Sequence, residues 1–142
     1  MIRWLEKKRW LSILVVIILA GIIFYLSDSS SPPSPGGDFW PIAYHIVIFF
    51  LLAIFLFASV KGRNRIKAWH VLLILLLCVL YAFSDEWHQS FIAGRHAGIV
   101  DVMYDTTGIF LAVFLYSLKS SRHKFSKVEQ MAYQEDVKKS IS

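Results

Sequence analysis

The sequence predicts an all-α membrane protein: a four-transmembrane-helix bundle with both termini on the cytoplasmic side. Three observations predict it. Hydrophobic residues make up 56% of the 142 residues and charged ones only 18%, with a mean hydropathy of +0.55. A soluble chain of this length could not bury that much apolar surface. The apolar residues fall in four runs, and the basic residues fall between them in an alternating pattern. This composition excludes a disordered chain, a coiled coil and a disulfide scaffold. Cys78 is the only cysteine, so no intrachain disulfide forms. The net charge of +5 does not point to nucleic acid, because the basic residues flank apolar runs instead of building a binding face.

The hydrocarbon core of a bilayer is about 30 Å thick and takes about 20 helical residues to cross. The predicted spans cover 10–27, 41–60, 69–88 and 99–118 and form one domain over 1–118; residues 119–142 are a basic cytoplasmic tail. The first run is basic then apolar, as in a secretory signal. It continues past Ala20 through Gly21 to Leu26 with no small-x-small cleavage site, so it is read as an uncleaved span. The Ser29–Gly37 stretch is rich in Ser, Pro and Gly and predicts a partly extended loop. In the tail, Phe125, Val128 and Met131 recur at helical spacing among lysines. A helix lying on the inner leaflet would give that pattern, but the favoured reading is a solvated, frayed tail.

Orientation follows from Lys and Arg. Arg3, Lys7, Lys8 and Arg9 precede the first span. Lys61, Arg63, Arg65 and Lys67 link the second to the third, and all later basic residues except Arg95 follow the fourth. Only an even number of spans with both ends inside satisfies all three groups.

Depth makes the polar residues informative. At 1.5 Å per residue, Asp85 and Glu86 lie about 25 Å from the cytoplasmic end of the third span; Asp105 and Asp101 lie about 20 and 26 Å along the fourth. His45 is near the outer end of the second. An ionised carboxylate facing lipid costs several kcal/mol, so these groups should converge or line a wet pocket. Asp85, His88 and Gln89 stand at i, i+3, i+4, and Asp101 and Asp105 at i, i+4, each a stripe on one helix side. Trp87 and Phe91 fall on another side, suited to the lipid interface. Gly94 and Gly98 would let the chain turn tightly and bring Arg95 down toward the carboxylates. The competing reading ends the third helix near Phe83 and makes Ser84–Gln89 a wet loop; it leaves Asp101 and Asp105 unexplained. A weak internal duplication is also visible. Phe24-Tyr25-Leu26-Ser27-Asp28 parallels Tyr81-Ala82-Phe83-Ser84-Asp85, and Ile42-Ala43-Tyr44-His45 parallels Val102-Met103-Tyr104-Asp105. It would set Ser27 and His45 beside Ser84 and Asp105.

The run Ser84-Asp85-Glu86-Trp87-His88-Gln89-Ser90-Phe91, followed by Arg95, Asp101-Val102 and Gly108, resembles the signature of the VanZ-like membrane proteins. The first span ending in Leu26-Ser27, and His45 and Leu52 in the second, are similar to that family too, so the resemblance covers about residues 10–118. It implies a small protein of the bacterial cytoplasmic membrane associated with low-level resistance to glycopeptides such as teicoplanin. It carries the polar signature onto His45, Asp85, Glu86, His88, Gln89, Arg95 and Asp101. Two positions depart from the pattern: Asp105 stands where the family usually has Asn, and Ile42 where it commonly has Lys. The site is thus more acidic here.

The favoured function is a cell-envelope role through binding of a lipid head group or lipid-linked envelope precursor. Its ligand-binding candidates are His45, Asp85, Glu86, His88, Gln89, Arg95, Asp101 and Asp105. Arg95 would hold phosphate or carboxylate through its planar fork. An acidic pocket alone would repel phosphate. The alternative is a membrane-embedded acid/base or metal-dependent hydrolase or transferase acting on a lipid-linked envelope substrate. Asp85 or Glu86 with His88 would be its acid/base pair, or two His plus carboxylates would hold a divalent metal that activates water. No metal-ligand set is assigned, because Asp-x-x-His matches no established metalloenzyme spacing, and no cofactor is implied. Ion transport would need a relay through the inner half, where His70 stands alone. A third reading has the polar cluster lock the helices together.

Overall fold

The computed structural model describes residues 2–28, 39–61, 66–93 and 98–141. Five helices follow one another: α1 (Ile2–Lys7), α2 (Arg9–Ser27), α3 (Phe39–Lys61), α4 (Ala68–Gln89) and α5 (Ile99–Ile141). Four segments are long and apolar enough to cross a membrane: Arg9–Ser27, Phe39–Lys61, Ala68–Gln89 and Ile99–Lys119. These agree with the spans expected from the sequence. The end of the bundle that carries Ser27, Phe39, Gln89 and Ile99 is called distal below, and the opposite end proximal.

Helix α3 is the centre of the packing. It touches α1, α2, α4 and α5, whereas α2 and α5 share no contact among the described residues. The four spans therefore form a rhombus, with α3 and α4 on the short diagonal and α2 and α5 at the far corners. The closest approach is between α3 and α5. A side chain at Gly108 would run into the carbonyl oxygen of Ile46 and come within 3.1 Å of the Phe50 nitrogen. Only glycine allows the two backbones to meet there. Phe49, Phe57, Ile74, Cys78, Ile109 and Ala112 fill the space between the helices. Trp10, Ile17, Leu72, Trp87, Phe91 and Phe114 point outward and are exposed, as lipid-facing side chains should be.

The proximal end is tied by polar contacts. Lys61 Nζ lies 3.0 Å from Glu6 Oε1, and the Tyr116 hydroxyl donates to the same oxygen at 2.6 Å. Arg9 Nε donates to the Ser59 carbonyl at 2.8 Å. The two bonds to Glu6 tie the short α1 to α3 and α5, and the Arg9 bond ties the start of α2 to α3. His70 has a local role: its Nδ1 accepts the Lys67 N–H at 3.0 Å, satisfying a donor at the start of α4, and its ring stacks on Trp69.

One expectation about local structure is corrected and one competing reading is excluded. The frayed tail is helical, because α5 runs unbroken to Ile141. No Gly or Pro follows Gly108, and the Lys, Arg, Glu and Gln beyond the span are good helix formers. The wet loop at Ser84–Gln89 does not form: α4 continues through Gln89, with Asp85, Glu86 and Gln89 buried. Those six residues complete the span, and their backbone groups are satisfied within the helix, which in hydrocarbon decides between helix and loop.

Candidate functional site

The distal half holds two polar clusters on different faces of α4. The first joins α2 to α4. The Ser27 hydroxyl donates to Asp85 Oδ1 at 2.6 Å, and Gln89 Nε2 donates to Asp85 Oδ2 at 2.9 Å and to Ser27 Oγ at 3.3 Å. The pairing of Asp85 and Gln89 is the i, i+4 stripe expected from the sequence. Both oxygens of Asp85 are satisfied although the residue is only 5% exposed. One turn below, the Tyr81 hydroxyl donates to the Ala20 carbonyl at 2.7 Å and fastens the same two helices.

The second cluster joins α3, α4 and α5. His45 Nδ1 and Asp105 Oδ1 lie 2.8 Å apart, with one proton between them. Glu86 sits one position further round α4 than Asp85, about 100° away, so it faces α3 and α5 while Asp85 faces α2. Glu86 Oε2 accepts the Gly98 N–H at 2.9 Å. That N–H immediately precedes α5, so the positive end of the helix dipole meets a carboxylate. Asp105 is 0% exposed, Glu86 6% and His45 8%. Even so, Glu86 Oε1 and Asp105 Oδ2 have no hydrogen-bond partner among the described residues. Ligand-capable atoms of His45, Glu86 and Asp105 lie within 4.8 Å of one another. Chemically, the first cluster is closed and the second keeps acceptor capacity.

The remaining candidates lie around these two groups. Asp101 is half-buried in the first turn of α5, within electrostatic range of His45 and Glu86. His88 lies on the α2 side, stacked on Phe24 at 4.6 Å, with Nε2 3.8 Å from Asp28 Oδ1. It therefore makes no hydrogen bond to Asp85 or Glu86. Arg95 and Gly94 lie outside the described residues. Gly98 shows no left-handed backbone, and a Cβ there would meet only the Val100 nitrogen at 3.9 Å. The tight turn expected at Gly98 is thus not what that residue supplies; its backbone N–H is.

The suspected duplication places one pair and misplaces the other. His45 meets Asp105, but Ser27 meets Asp85, while Ser84 is exposed and bonds back to the Tyr81 carbonyl. Sequence reasoning missed the anchoring hydroxyl of Tyr81 and the Gly98 donor, and no linear signal marks either. Beside the second cluster, an open apolar cavity of about 810 Å³ runs along α5. It is lined by Phe83, Val102, Met103, Thr106, Phe110 and Phe114, among others. Val102 and Thr106 immediately follow Asp101 and Asp105 along the helix.

Fold and site together define a small multi-span membrane protein whose buried carboxylates, Asp85, Glu86 and Asp105, gather in one half of its bundle. The family model described as VanZ/LLP1 matches residues 10–120, and the chain belongs to that family. The VanZ family is linked to teicoplanin resistance. No curated protein and no solved structure matches the chain.

Proposed function

We propose that this protein supports glycopeptide tolerance by recognising a lipid head group or lipid-linked envelope molecule at the outer leaflet of the cytoplasmic membrane. In this reading both termini are cytoplasmic, and the distal half faces outward. The observation that carries it is the pair of buried carboxylate oxygens, Glu86 Oε1 and Asp105 Oδ2, that no donor among the described residues satisfies. A polar group buried without a partner costs about 1–3 kcal/mol or more. A fold that merely needed helix contacts would close it, as it closes Asp85.

Hydroxyl or ammonium groups of a head group would donate to these acceptors, and Arg95 would hold its phosphate. The apolar cavity along α5 suits an acyl chain whose head lies at the level of Asp101 and Asp105. The catalytic alternative now rests on other residues than the sequence suggested. His45 held by Asp105 at 2.8 Å has the arrangement of an oriented general base, whereas the nearest acid to His88 is the exposed Asp28 at 3.8 Å.

The test is lipid retention together with susceptibility. Wild-type protein extracted in mild detergent should carry a phosphate-bearing lipid, visible by native mass spectrometry. Asp105→Asn, Glu86→Gln and Arg95→Ala should lose it and lose tolerance to teicoplanin, while remaining folded. Turnover of the retained lipid by wild type alone would favour the enzyme. Full retention and full tolerance in Asp105→Asn and Glu86→Gln would leave only a helix lock.

A further inference from the structure

We infer that His45, Glu86 and Asp105 form a binding site for one divalent transition-metal cation, zinc or manganese. The three come from three different helices, yet their ligand-capable atoms lie within 4.8 Å of one another. Two donors bound to one zinc at 2.0–2.2 Å in tetrahedral geometry stand roughly 3.3 Å apart. His45 Nδ1 and Asp105 Oδ1 are 2.8 Å apart and the ligand atoms of all three span no more than 4.8 Å, so side-chain rotations would bring them to that spacing.

Three features argue for a cation over a closed hydrogen-bond network. Among the described residues, Glu86 Oε1 and Asp105 Oδ2 are unpartnered acceptors, on residues only 6% and 0% exposed. Acceptors without donors are what a cation satisfies. Second, the remaining oxygen of Glu86 is held by the Gly98 N–H at 2.9 Å, an outer contact that fixes a carboxylate for ligation. Third, one imidazole nitrogen with two carboxylate oxygens suits zinc and manganese better than magnesium or calcium, which take all-oxygen sets.

On binding, the cation replaces the proton between His45 and Asp105, and that proton leaves to solvent. His45 ligates through Nδ1, Glu86 through Oε1, and Asp105 through a carboxylate oxygen. Three protein ligands leave a zinc one open position. An anionic oxygen could take it, turning an acidic pocket that repels phosphate into one that accepts it. The ion site itself stands on the three side chains and not on the lipid reading.

The experiment uses full-length protein, delipidated in detergent and stripped with chelator, then titrated with zinc chloride or manganese chloride. Bound metal is counted by elemental analysis after dialysis, and manganese is followed by its paramagnetic resonance signal. One ion per chain is expected. Glu86→Gln and Asp105→Asn should each weaken binding at least about 100-fold, beyond the 10–100-fold typical of outer-sphere partners. Asp28→Asn, which changes an exposed acid outside the cluster, should bind as wild type does. Glu86→Gln is the decisive variant, since the altered oxygen has no partner whose loss would unfold the protein. No saturable binding below about 1 mM, or binding unchanged in either cluster variant, overturns the ion site. Lipid retention persisting in metal-free protein would leave the head-group reading standing without it.

Discussion

Replacing Gly108 by alanine should pit two opposed effects of known size against each other. Within a helix, Gly→Ala stabilises by about 1 kcal/mol through backbone entropy. At Gly108 the new methyl would run into the Ile46 carbonyl oxygen, with the Ile46 carbonyl carbon and the Phe50 nitrogen both at 3.1 Å. Those are backbone atoms inside α3 and cannot rotate away, so α5 must shift. Overpacking of this kind costs about 1–3 kcal/mol, occasionally more. A backbone oxygen in the way puts this site at the upper end, about 2–3 kcal/mol, for a net loss of about 1–2 kcal/mol. The displacement falls within one turn of the 2.8 Å contact between His45 and Asp105, so it should also loosen that pair. Gly21 supplies the internal comparison: nothing lies within 4 Å of a Cβ placed there, and Gly21→Ala should gain up to about 1 kcal/mol. Unfolding of both variants in mixed micelles, by denaturant titration followed by circular dichroism, reads the difference. Equal or greater stability in Gly108→Ala than in wild type would refute the close approach of α3 and α5.

Three further outcomes are expected. Ser27→Ala removes the hydroxyl that donates to Asp85 Oδ1 and should lower stability by about 1–2 kcal/mol in the same assay. Lys61→Met leaves Glu6, 14% exposed in its side chain, without its cation and should cost about 3 kcal/mol; Lys61→Met with Glu6→Gln should recover much of that, because both charges leave together. For orientation, Cys78 is buried and gives little background. In a Cys78→Ser chain, Ser34→Cys should react with a membrane-impermeant maleimide on intact cells and Asn64→Cys only after permeabilisation; the reverse pattern would invert the topology.

The spans were legible because crossing hydrocarbon leaves few options. Every backbone group must be satisfied within the segment, so length and hydropathy locate helices almost residue by residue. The depth of Asp85, Glu86, Asp101 and Asp105 was legible for the same reason: rise per residue is fixed along a helix. Which acid faces which neighbour was less so. The i, i+4 rule paired Asp85 with Gln89 correctly. It also attached His88 to that stripe, whereas the ring turns to Phe24 and Asp28. Glu86 belonged to no stripe on its own helix and became a neighbour of His45 and Asp105 through helix packing. Sites assembled from one residue per helix leave no local spacing, and the ligand-capable trio is therefore invisible to motif reading. The helical tail was missed because polarity was read as fraying, although the segment lacks any residue that stops a helix.

The two distal clusters bear on each other through the same helical turn of α4. Asp85 and Glu86 are adjacent in sequence, equally deep and nearly equally buried, so desolvation alone does not distinguish them. The fold treats them differently all the same. Around Asp85 it places Ser27 and Gln89, enough donors for both oxygens. Around Glu86 it places one backbone N–H, an imidazole and a second acid. Bringing two carboxylates together is unfavourable unless a proton or a cation lies between them. Helices α3 and α5 nevertheless press close at Gly108, one turn from Asp105. If Asp105 is kept for what it binds and not for holding helices, replacing it by asparagine relieves repulsion and retains the bond to His45. Asp105→Asn should then be at least as stable as wild type. Higher stability joined to lost function would mark Asp105 as a residue kept for what it binds; lower stability would mark it as a helix fastener.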